Sequence, residues 1–255
     1  MKSDSCKIYT TLLCSLILLN SCAHMYYAPN SAHIPVLKEK NDIRLNLAYI
    51  QTTDGFDGGR GGEIQLAYAV SPSVGVLANV FSASSYPEES SASGSGTYGE
   101  LGAGYYKPFG NKSNWVFETY GGFGLGGVKN EYANGGYAET GIFKLFLQPS
   151  LSFSGKVAEF SLGSRVSFVN INVKEKNIII QTDQTFDSNG NSDMIFLEQH
   201  PSSVIWEPGA NLAIGFKNFK PFVGVCFSFN ISNPDLPQTV VTGSLGLRLM
   251  FNTVK

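Results

Sequence analysis

The stretch "DIRLNLAYIQ", residues 42–51, alternates apolar and polar side chains with a period of two. One face carries the apolar side chains at odd positions 43 to 49, and the other carries Asp42, Arg44 and Asn46. The stretch "GEIQLAYAV", residues 62–70, repeats the pattern. A period of two predicts β-strands that have one apolar and one polar face.

Comparable stretches recur to the end of the chain. The ten predicted strands cover residues 42–51, 62–70, 73–82, 97–107, 115–126, 139–153, 157–170, 204–216, 219–230 and 239–251. Most of them are close to the ~9–11 residues that a tilted membrane strand needs. An even number of strands is typical of bacterial outer-membrane barrels.

The connections between the predicted strands alternate in length. Brief turns follow the second, fourth, sixth and eighth strands, near residues 71–73, 108–114, 155–156 and 217–218. The other connections are longer, and the longest covers residues 171–203. This alternation predicts an all-β fold, a closed up-and-down antiparallel transmembrane β-barrel with short periplasmic turns and long outer loops. A β-sandwich with Greek-key connections has no such rule.

Composition supports a membrane barrel. The chain has 28 glycines, 13% aromatic residues and 15% charged residues, and its formal net charge is -2. That charge gives no basic surface for nucleic acid. No stretch beyond the N-terminal region has the length of an apolar transmembrane helix, so a chain that enters the membrane must close as a barrel.

The N-terminal region resembles a bacterial lipoprotein signal. Lys2 and Lys7 precede an apolar run that is too short to span a bilayer. The sequence Leu19-Asn20-Ser21-Cys22 resembles a lipobox, in which Cys22 becomes the lipidated N-terminus; an ordinary signal peptide with an incidental cysteine is the alternative. We therefore predict a signal peptide at 1–21, an acylated extended tether at 22–41 and the barrel at 42–255. Both ends of the barrel fall at the short-turn side, which a tethered Cys22 in the inner leaflet of the outer membrane could reach.

The polar faces of the predicted strands carry charges of both signs. They predict an ionic network in the lumen, formed by Arg44, Glu63, Glu100, Glu118, Lys144, Glu159, Arg165, Glu207 and Arg248. Buried charges are costly unless they pair, so this network is expected to pair, fill and rigidify the barrel. A gated ion or proton path is the alternative. Whether the lumen is plugged stays open, and the tether is one candidate.

The opposite faces are nearly free of charge. Large aromatic residues recur near the strand ends, as expected for aromatic belts at the two membrane interfaces. They are Tyr49, Tyr68, Trp115, Phe153, Phe168, Phe216 and Phe251. These faces are therefore predicted to contact lipid.

Several stretches resemble outer-membrane β-barrel proteins of Bacteroidetes. They are "MYYAPNSAHIPVLKEKND", "LAYAVSPSVGVLANVF", "GELGAGYYKPFG", "FETYGGFGLG", "FLQPSLSF" and "WEPGANLAIGFKN". The resemblance covers most of the chain after the signal. It implies an outer-membrane location and transfers no catalytic or ligand-binding residues.

The sequence offers little for catalysis. Its three histidines, His24, His33 and His200, lie outside the predicted strands, and no cysteine and histidine cluster has metal-ligand spacing. His200 with Glu198 and Asp193 could form a metal or base site, although a solvated loop is the favoured interpretation. No catalytic residue, cofactor or metal is therefore predicted.

Three functions are compatible with this pattern. The favoured one is a non-enzymatic, lipid-anchored outer-membrane barrel with a structural or surface-interaction role, acting through loops at 83–96, 127–138 and 171–203. Its expected partners are outer-membrane lipid and the barrel-insertion machinery, while a protein partner stays open. The alternatives are a small channel or transporter, and a periplasmic lipid-tethered calyx that buries Leu45, Leu66 and Leu247 around an apolar ligand.

Overall fold

All neighbouring strands pair antiparallel, and the sheet closes on itself because β1 pairs with β11 and β9 pairs with β8. The computed structural model describes residues 26–53, 59–85, 92–177, 191–236 and 238–252. The predicted signal and Cys22 lie outside these residues. The strands are β1 (Asp42–Thr53), β2 (Arg60–Ala69), β3 (Val74–Ser85), β4 (Ser93–Phe109), β5 (Trp115–Glu131), β6 (Tyr137–Ser154), β7 (Ala158–Asn177), β8 (Ser202–Ile214), β9 (Phe219–Phe227), β10 (Phe229–Asn230) and β11 (Val241–Asn252).

The barrel has ten strands because β9 and β10 are two parts of one strand. The register that pairs Gly209 with Cys226 continues unchanged to the pair Trp206 and Phe229. Pro208 lies between these pairs in β8 and has no N–H to donate to the neighbouring strand. The hydrogen-bond ladder is therefore interrupted near Ser228 while the strand continues.

The barrel has two different mouths. The turn mouth contains the start of β1, the end of β11 and the connections 70–73, 110–114, 155–157 and 215–218. The loop mouth contains the remaining connections, including helix α1 (Asn191–Gln199) between β7 and β8. Within the described residues, no helix is long and apolar enough to cross a membrane.

Several strands extend further toward the loop mouth than the sequence predicts. Strand β7 continues to Asn177, and β5 continues to Glu131. The connection expected at 127–138 is a tight turn in which the N–H of Tyr132 donates to the carbonyl of Gly136. The segment 171–203 is also not all loop, since it contains the end of β7 and α1. Alternation fades at these strand ends because both faces carry polar or small residues, although the backbone ladder continues.

The two faces of the sheet differ in chemistry. Large apolar side chains from nearly every strand are exposed on the outside, among them Leu66, Leu147, Leu212 and Leu247. Charged side chains near the middle of the strands, among them Glu100, Glu118 and Arg165, point into the lumen and are buried, whereas others nearer the strand ends, such as Lys107 and Glu131, are exposed. Because Leu66 and Leu247 face outward, the arrangement contradicts the calyx interpretation, which requires them inside.

Residues 26–41 run through the lumen from one mouth to the other, and we call them the lumen segment. At the turn mouth, the N–H of Asn41 donates to the carbonyl of Ala69. At the loop mouth, the Tyr26 hydroxyl is 2.8 Å from the Tyr132 hydroxyl. The segment therefore enters β1 from inside the barrel.

Candidate functional site in the barrel lumen

The lumen binds the backbone of the lumen segment along its length. Each carbonyl from Tyr27 to His33 accepts a hydrogen bond from the surrounding barrel. The donors, in the order of the carbonyls, are Thr239 N–H (2.8 Å), Tyr98 (2.9 Å), Thr242 (2.7 Å), Arg165 (3.4 Å), Gln65 (3.3 Å), Asn211 (2.9 Å) and Gln148 (2.8 Å). Only the Ala32 carbonyl among them also accepts from within the segment, from the Ile34 N–H (3.1 Å). The barrel therefore supplies most of the partners that water would otherwise provide.

Two buried carboxylates hold the amide groups of the segment. Glu118 accepts the successive N–H groups of Val36 (2.9 Å) and Leu37 (3.1 Å). Glu63 accepts from the N–H of Ser31 (3.2 Å) and also from its hydroxyl. Neither carboxylate has an ion-pair partner within 4.0 Å among the described residues, and both act as hydrogen-bond acceptors for the segment.

An ionic cluster lies on the loop side of the lumen. The ammonium of Lys144 is 3.0 Å from Glu100 and 3.3 Å from Glu207. The guanidinium of Arg165 is 2.8 Å from Glu207 and 3.6 Å from Glu100. All four side chains are almost fully buried, so each charge has an opposite charge beside it in a low-dielectric site.

The same cluster also contacts side chains of the lumen segment. Asn30 donates to Glu100 (2.7 Å), and the Tyr27 hydroxyl donates to Glu207 (2.6 Å). The ammonium of Lys144 lies 5.5 Å from the centre of the Tyr27 ring. The cluster is therefore part of the site that binds the segment.

A second ionic cluster lies on the turn side. Glu159 pairs with Arg248, and the Lys220 ammonium is 3.7 Å from Glu159. Arg248 also donates to Asn46 (3.0 Å). Arg44 has no ion-pair partner within 4.0 Å in the described part of the chain; its guanidinium donates to the carbonyl of Val36 (3.0 Å).

The nine residues predicted from sequence therefore divide into three groups. Four meet in the loop-side cluster, two meet in the turn-side cluster, and Arg44, Glu63 and Glu118 contact the lumen segment instead. Sequence reasoning missed Lys220, which follows a tight turn and precedes a proline. With Lys220 included, the described residues place five buried basic side chains opposite five buried glutamates in the lumen.

Small residues of the barrel wall provide space for the segment. Gly209 faces Ala32, and an added Cβ there would lie 2.8 Å from the Cβ of Ala32. Gly163 faces Ile34 in the same way, at 2.9 Å from the nearest Ile34 atom. These glycines allow the segment to approach the backbone of the wall closely.

Apolar residues close the loop mouth above the segment. Tyr26 and Tyr27 pack into one buried cluster with Met194 and Leu197 of α1 and with Leu236. The helix has a local role here, since it covers the point where the segment leaves the lumen. In the sequence, Met194 and Leu197 of this helix are visible only as isolated apolar residues in a long polar connection.

Among the side chains that the structure describes, His33 and His200 do not form a metal or base site; His24 and the side chain of Asp193 lie outside them. The His200 ring stacks on Phe196 at 4.9 Å, and Glu198 pairs with Lys176 at 2.5 Å. His33 is buried in the lumen, and its ring nitrogens have no hydrogen-bond partner among the described residues. No group of three or more metal-ligating side chains occurs in the part of the chain that the structure describes.

Comparison with known proteins concerns the fold alone. No protein-family model matches the chain, and no curated protein matches its sequence. The chain is similar to the N-terminal β-barrel domain of Pseudomonas aeruginosa OprF, with 13% identity over 84% of this chain and 100% of that chain, at a TM-score of 0.36. The chain is similar to the outer-membrane protease OmpT from Escherichia coli, with 9% identity over 82% of this chain and 95% of that chain, at a TM-score of 0.40. The chain is also similar to Ail, the attachment invasion locus protein of Yersinia pestis, with 17% identity over 84% of this chain and 100% of that chain, at a TM-score of 0.33.

Proposed function

We propose that this chain is a non-enzymatic, lipid-anchored outer-membrane β-barrel that is sealed by its own N-terminal segment and has a structural or surface-interaction role. The observation that carries the proposal is the pairing of an apolar exterior with a charged interior that the lumen segment fills. Such a protein separates two compartments and presents its loop mouth to one of them.

The exterior supports insertion in a bilayer. Leu147 is 58% exposed and Leu125 is 58% exposed, which is unusual for large aliphatic side chains in water. Aromatic side chains near the strand ends, such as Trp115 and Phe251, are also exposed. Hydrocarbon would cover the aliphatic band, and the aromatic rings suit the headgroup level.

The proposed partners are those of an envelope protein. Outer-membrane lipid covers the barrel, and the barrel-insertion machinery assembles it. The lipobox-like sequence at Cys22 supports a lipid anchor, and the resemblance to Bacteroidetes barrels supports the outer membrane as the location. A protein partner would meet the loop mouth.

The lumen favours a sealed barrel over a channel or an enzyme. The buried carboxylates of Glu63, Glu118 and Glu207 are all engaged by the lumen segment. A carboxylate held in this way is not available to a diffusing ion or substrate. No observation favours the channel as a second candidate.

Two measurements test the proposal. The purified protein should require detergent to stay monodisperse, and the unheated sample should migrate faster on a denaturing gel than the boiled sample. A monodisperse protein in buffer without detergent would reject the membrane barrel.

The lipid anchor needs its own test. Cells fed a labelled fatty acid should incorporate the label into the wild-type protein, and the Cys22→Ser variant should lose it. Equal labelling of both proteins would contradict acylation at Cys22.

A further inference from the structure

We propose that the lumen segment carries the N-terminal end of the mature chain to the loop mouth, so that a lipid on Cys22 inserts in the leaflet on the loop side of the membrane. This inference rests on the proposed function, because it takes the barrel as membrane-embedded and Cys22 as its anchor. It reverses the expectation that Cys22 reaches the turn side.

The direction of the segment follows from its contacts in chain order. Lys38 donates to the carbonyl of Ser154, at the turn-mouth end of β6 (3.1 Å). Ile34 lies against Gly163 further along the lumen. Tyr27 forms a bridge with Gln238, in the connection before β11 at the loop mouth. Lower residue numbers therefore lie closer to the loop mouth.

The exit at the loop mouth is fixed by packing. Tyr26 and Tyr27 are buried, and Tyr132 at the tip of the β5–β6 hairpin contacts the Tyr26 hydroxyl. Met194 and Leu197 complete the cluster from α1. The segment is therefore held at the rim and cannot slide back without exposing these side chains.

The part of the chain between Cys22 and Tyr26 is too short to return to the turn side. Cys22 precedes Tyr26 by four positions, which gives a reach of at most about 14 Å at ~3.3–3.6 Å for each residue. Strand β1 has 12 residues, so at ~3.3 Å per residue and a tilt near 40° it spans about 30 Å of height. An anchor at Cys22 must therefore lie on the loop side.

The leaflet follows from the chemistry of the anchor. Acyl chains partition into the nearest hydrocarbon, because the burial of each CH₂ group there is favourable. With a spacer of four positions, the acyl chains would enter the membrane beside the barrel rim. The partner of the N-terminus is thus the lipid of the loop-side leaflet, which is the cell surface if the loops face outward.

Single cysteines in whole cells test the inference. The background variant is Cys226→Ser, in which the sulfur of Cys22 is blocked by the acyl anchor and the unsubstituted background serves as the check that Cys22 is not labelled. It receives His24→Cys, Ala133→Cys or Lys156→Cys one at a time. Ala133 lies at the loop mouth and Lys156 lies in a short turn at the turn mouth, and both are exposed. Intact cells are treated with a membrane-impermeant maleimide, and permeabilised cells give the total labelling.

The inference requires His24→Cys to behave like Ala133→Cys, with full labelling in intact cells, while Lys156→Cys is labelled only after permeabilisation. Labelling of His24→Cys only after permeabilisation, beside an accessible Ala133→Cys, would overturn the inference and leave the membrane barrel intact. Labelling of Lys156→Cys alone in intact cells would instead overturn the proposed orientation.

A disulfide provides a second measurement that does not depend on access from outside. In the Cys226→Ser background, Ala32→Cys and Gly209→Cys should form a bond in the membrane-embedded protein, because their Cβ positions are 2.8 Å apart and a shift of about 1 Å brings them to the ~3.5–4.5 Å of a disulfide. Ala32→Cys with Leu162→Cys is the matched control, since Leu162 faces outward. A bond in the control pair only, or equal free thiols in both, would contradict the threaded segment.

Discussion

At the scale of single residues, Val36 has the most unusual backbone. Its φ is +61°, a left-handed conformation that β-branched residues rarely adopt. This conformation points the amide groups of Val36 and Leu37 at one carboxylate, Glu118. Successive N–H groups that converge in this way form an anion-binding concavity, so the hydrogen bonds to Glu118 offset the strain at Val36.

Replacing Glu118 should destabilise the barrel. Glu118→Ala leaves two buried amides without an acceptor, and we expect the free energy of unfolding to fall by about 2–3 kcal/mol. Urea unfolding of the protein in lipid or detergent measures this change. The control is Glu131→Gln, whose ion pair with Lys129 is exposed to solvent and should contribute little to stability. Equal stability of Glu118→Ala and the control would show that the contact does not hold the segment.

The loop-side cluster should behave as a coupled unit. Lys144→Met leaves Glu100 and Glu207 with one cation fewer, and breaking a buried pair costs about 3–5 kcal/mol. Adding Glu100→Gln removes one of the stranded charges, so the double variant should be destabilised by less than the sum of the single variants. A double-mutant cycle measures the difference, and strict additivity would contradict the coupling.

At the scale of elements, the sequence predicts the strands better than their ends. The alternation in "DIRLNLAYIQ" identifies β1 and the side that Arg44 faces. The end of β7, "NVKEKN", has no apolar face, yet it pairs with β6 as far as Asn177. Alternation of apolar and polar residues arises because the two faces of a strand have different surroundings. It is lost where both faces have polar surroundings.

The lumen segment was the least predictable element. Its partners are distant in sequence, as with Asn211 and the carbonyl of Ala32, or Thr242 and the carbonyl of Pro29. No local period reveals a segment whose hydrogen bonds go mostly to other elements, with the Ile34 N–H donating to the Ala32 carbonyl as an exception. The buried charges could be predicted as a set, but not which of them would bind the segment.

Steric contact between β8 and the lumen segment gives a test at this scale. Gly209→Ala places a Cβ 2.8 Å from that of Ala32 and 3.0 Å from the carbonyl oxygen of Val225. Overpacking of this kind costs about 1–3 kcal/mol, which thermal unfolding can measure. Ala32→Gly in the same chain should restore part of the loss.

A second glycine of the wall is the control for this substitution. At Gly62 an added Cβ would meet only the carbonyl oxygen of Ala48, at 3.7 Å. Gly62→Ala should therefore be tolerated and should gain nothing from Ala32→Gly. If Ala32→Gly restored stability equally in the Gly209→Ala and Gly62→Ala variants, its effect would not depend on the contact between Gly209 and Ala32.

At the scale of the whole molecule, the segment decides whether the barrel conducts. In planar bilayers the wild-type protein should give no steady conductance, because the segment and the apolar cluster at the loop mouth fill the path. A variant that lacks residues 26–37 should conduct, since it leaves a polar lumen behind. Faster migration of its unheated sample would show that the variant has folded. Equal conductance of the two proteins would contradict a sealed barrel.

A ring of strands that encloses its own leading segment also constrains the order of assembly. The seam between β1 and β11 joins the two ends of the domain. Sliding the segment into a finished cylinder would strip its carbonyls of water before all of their new donors were reached. This intermediate is avoided if β1 and β11 pair only after the segment has bound in the lumen. The first and last strands are therefore expected to pair at the end of assembly.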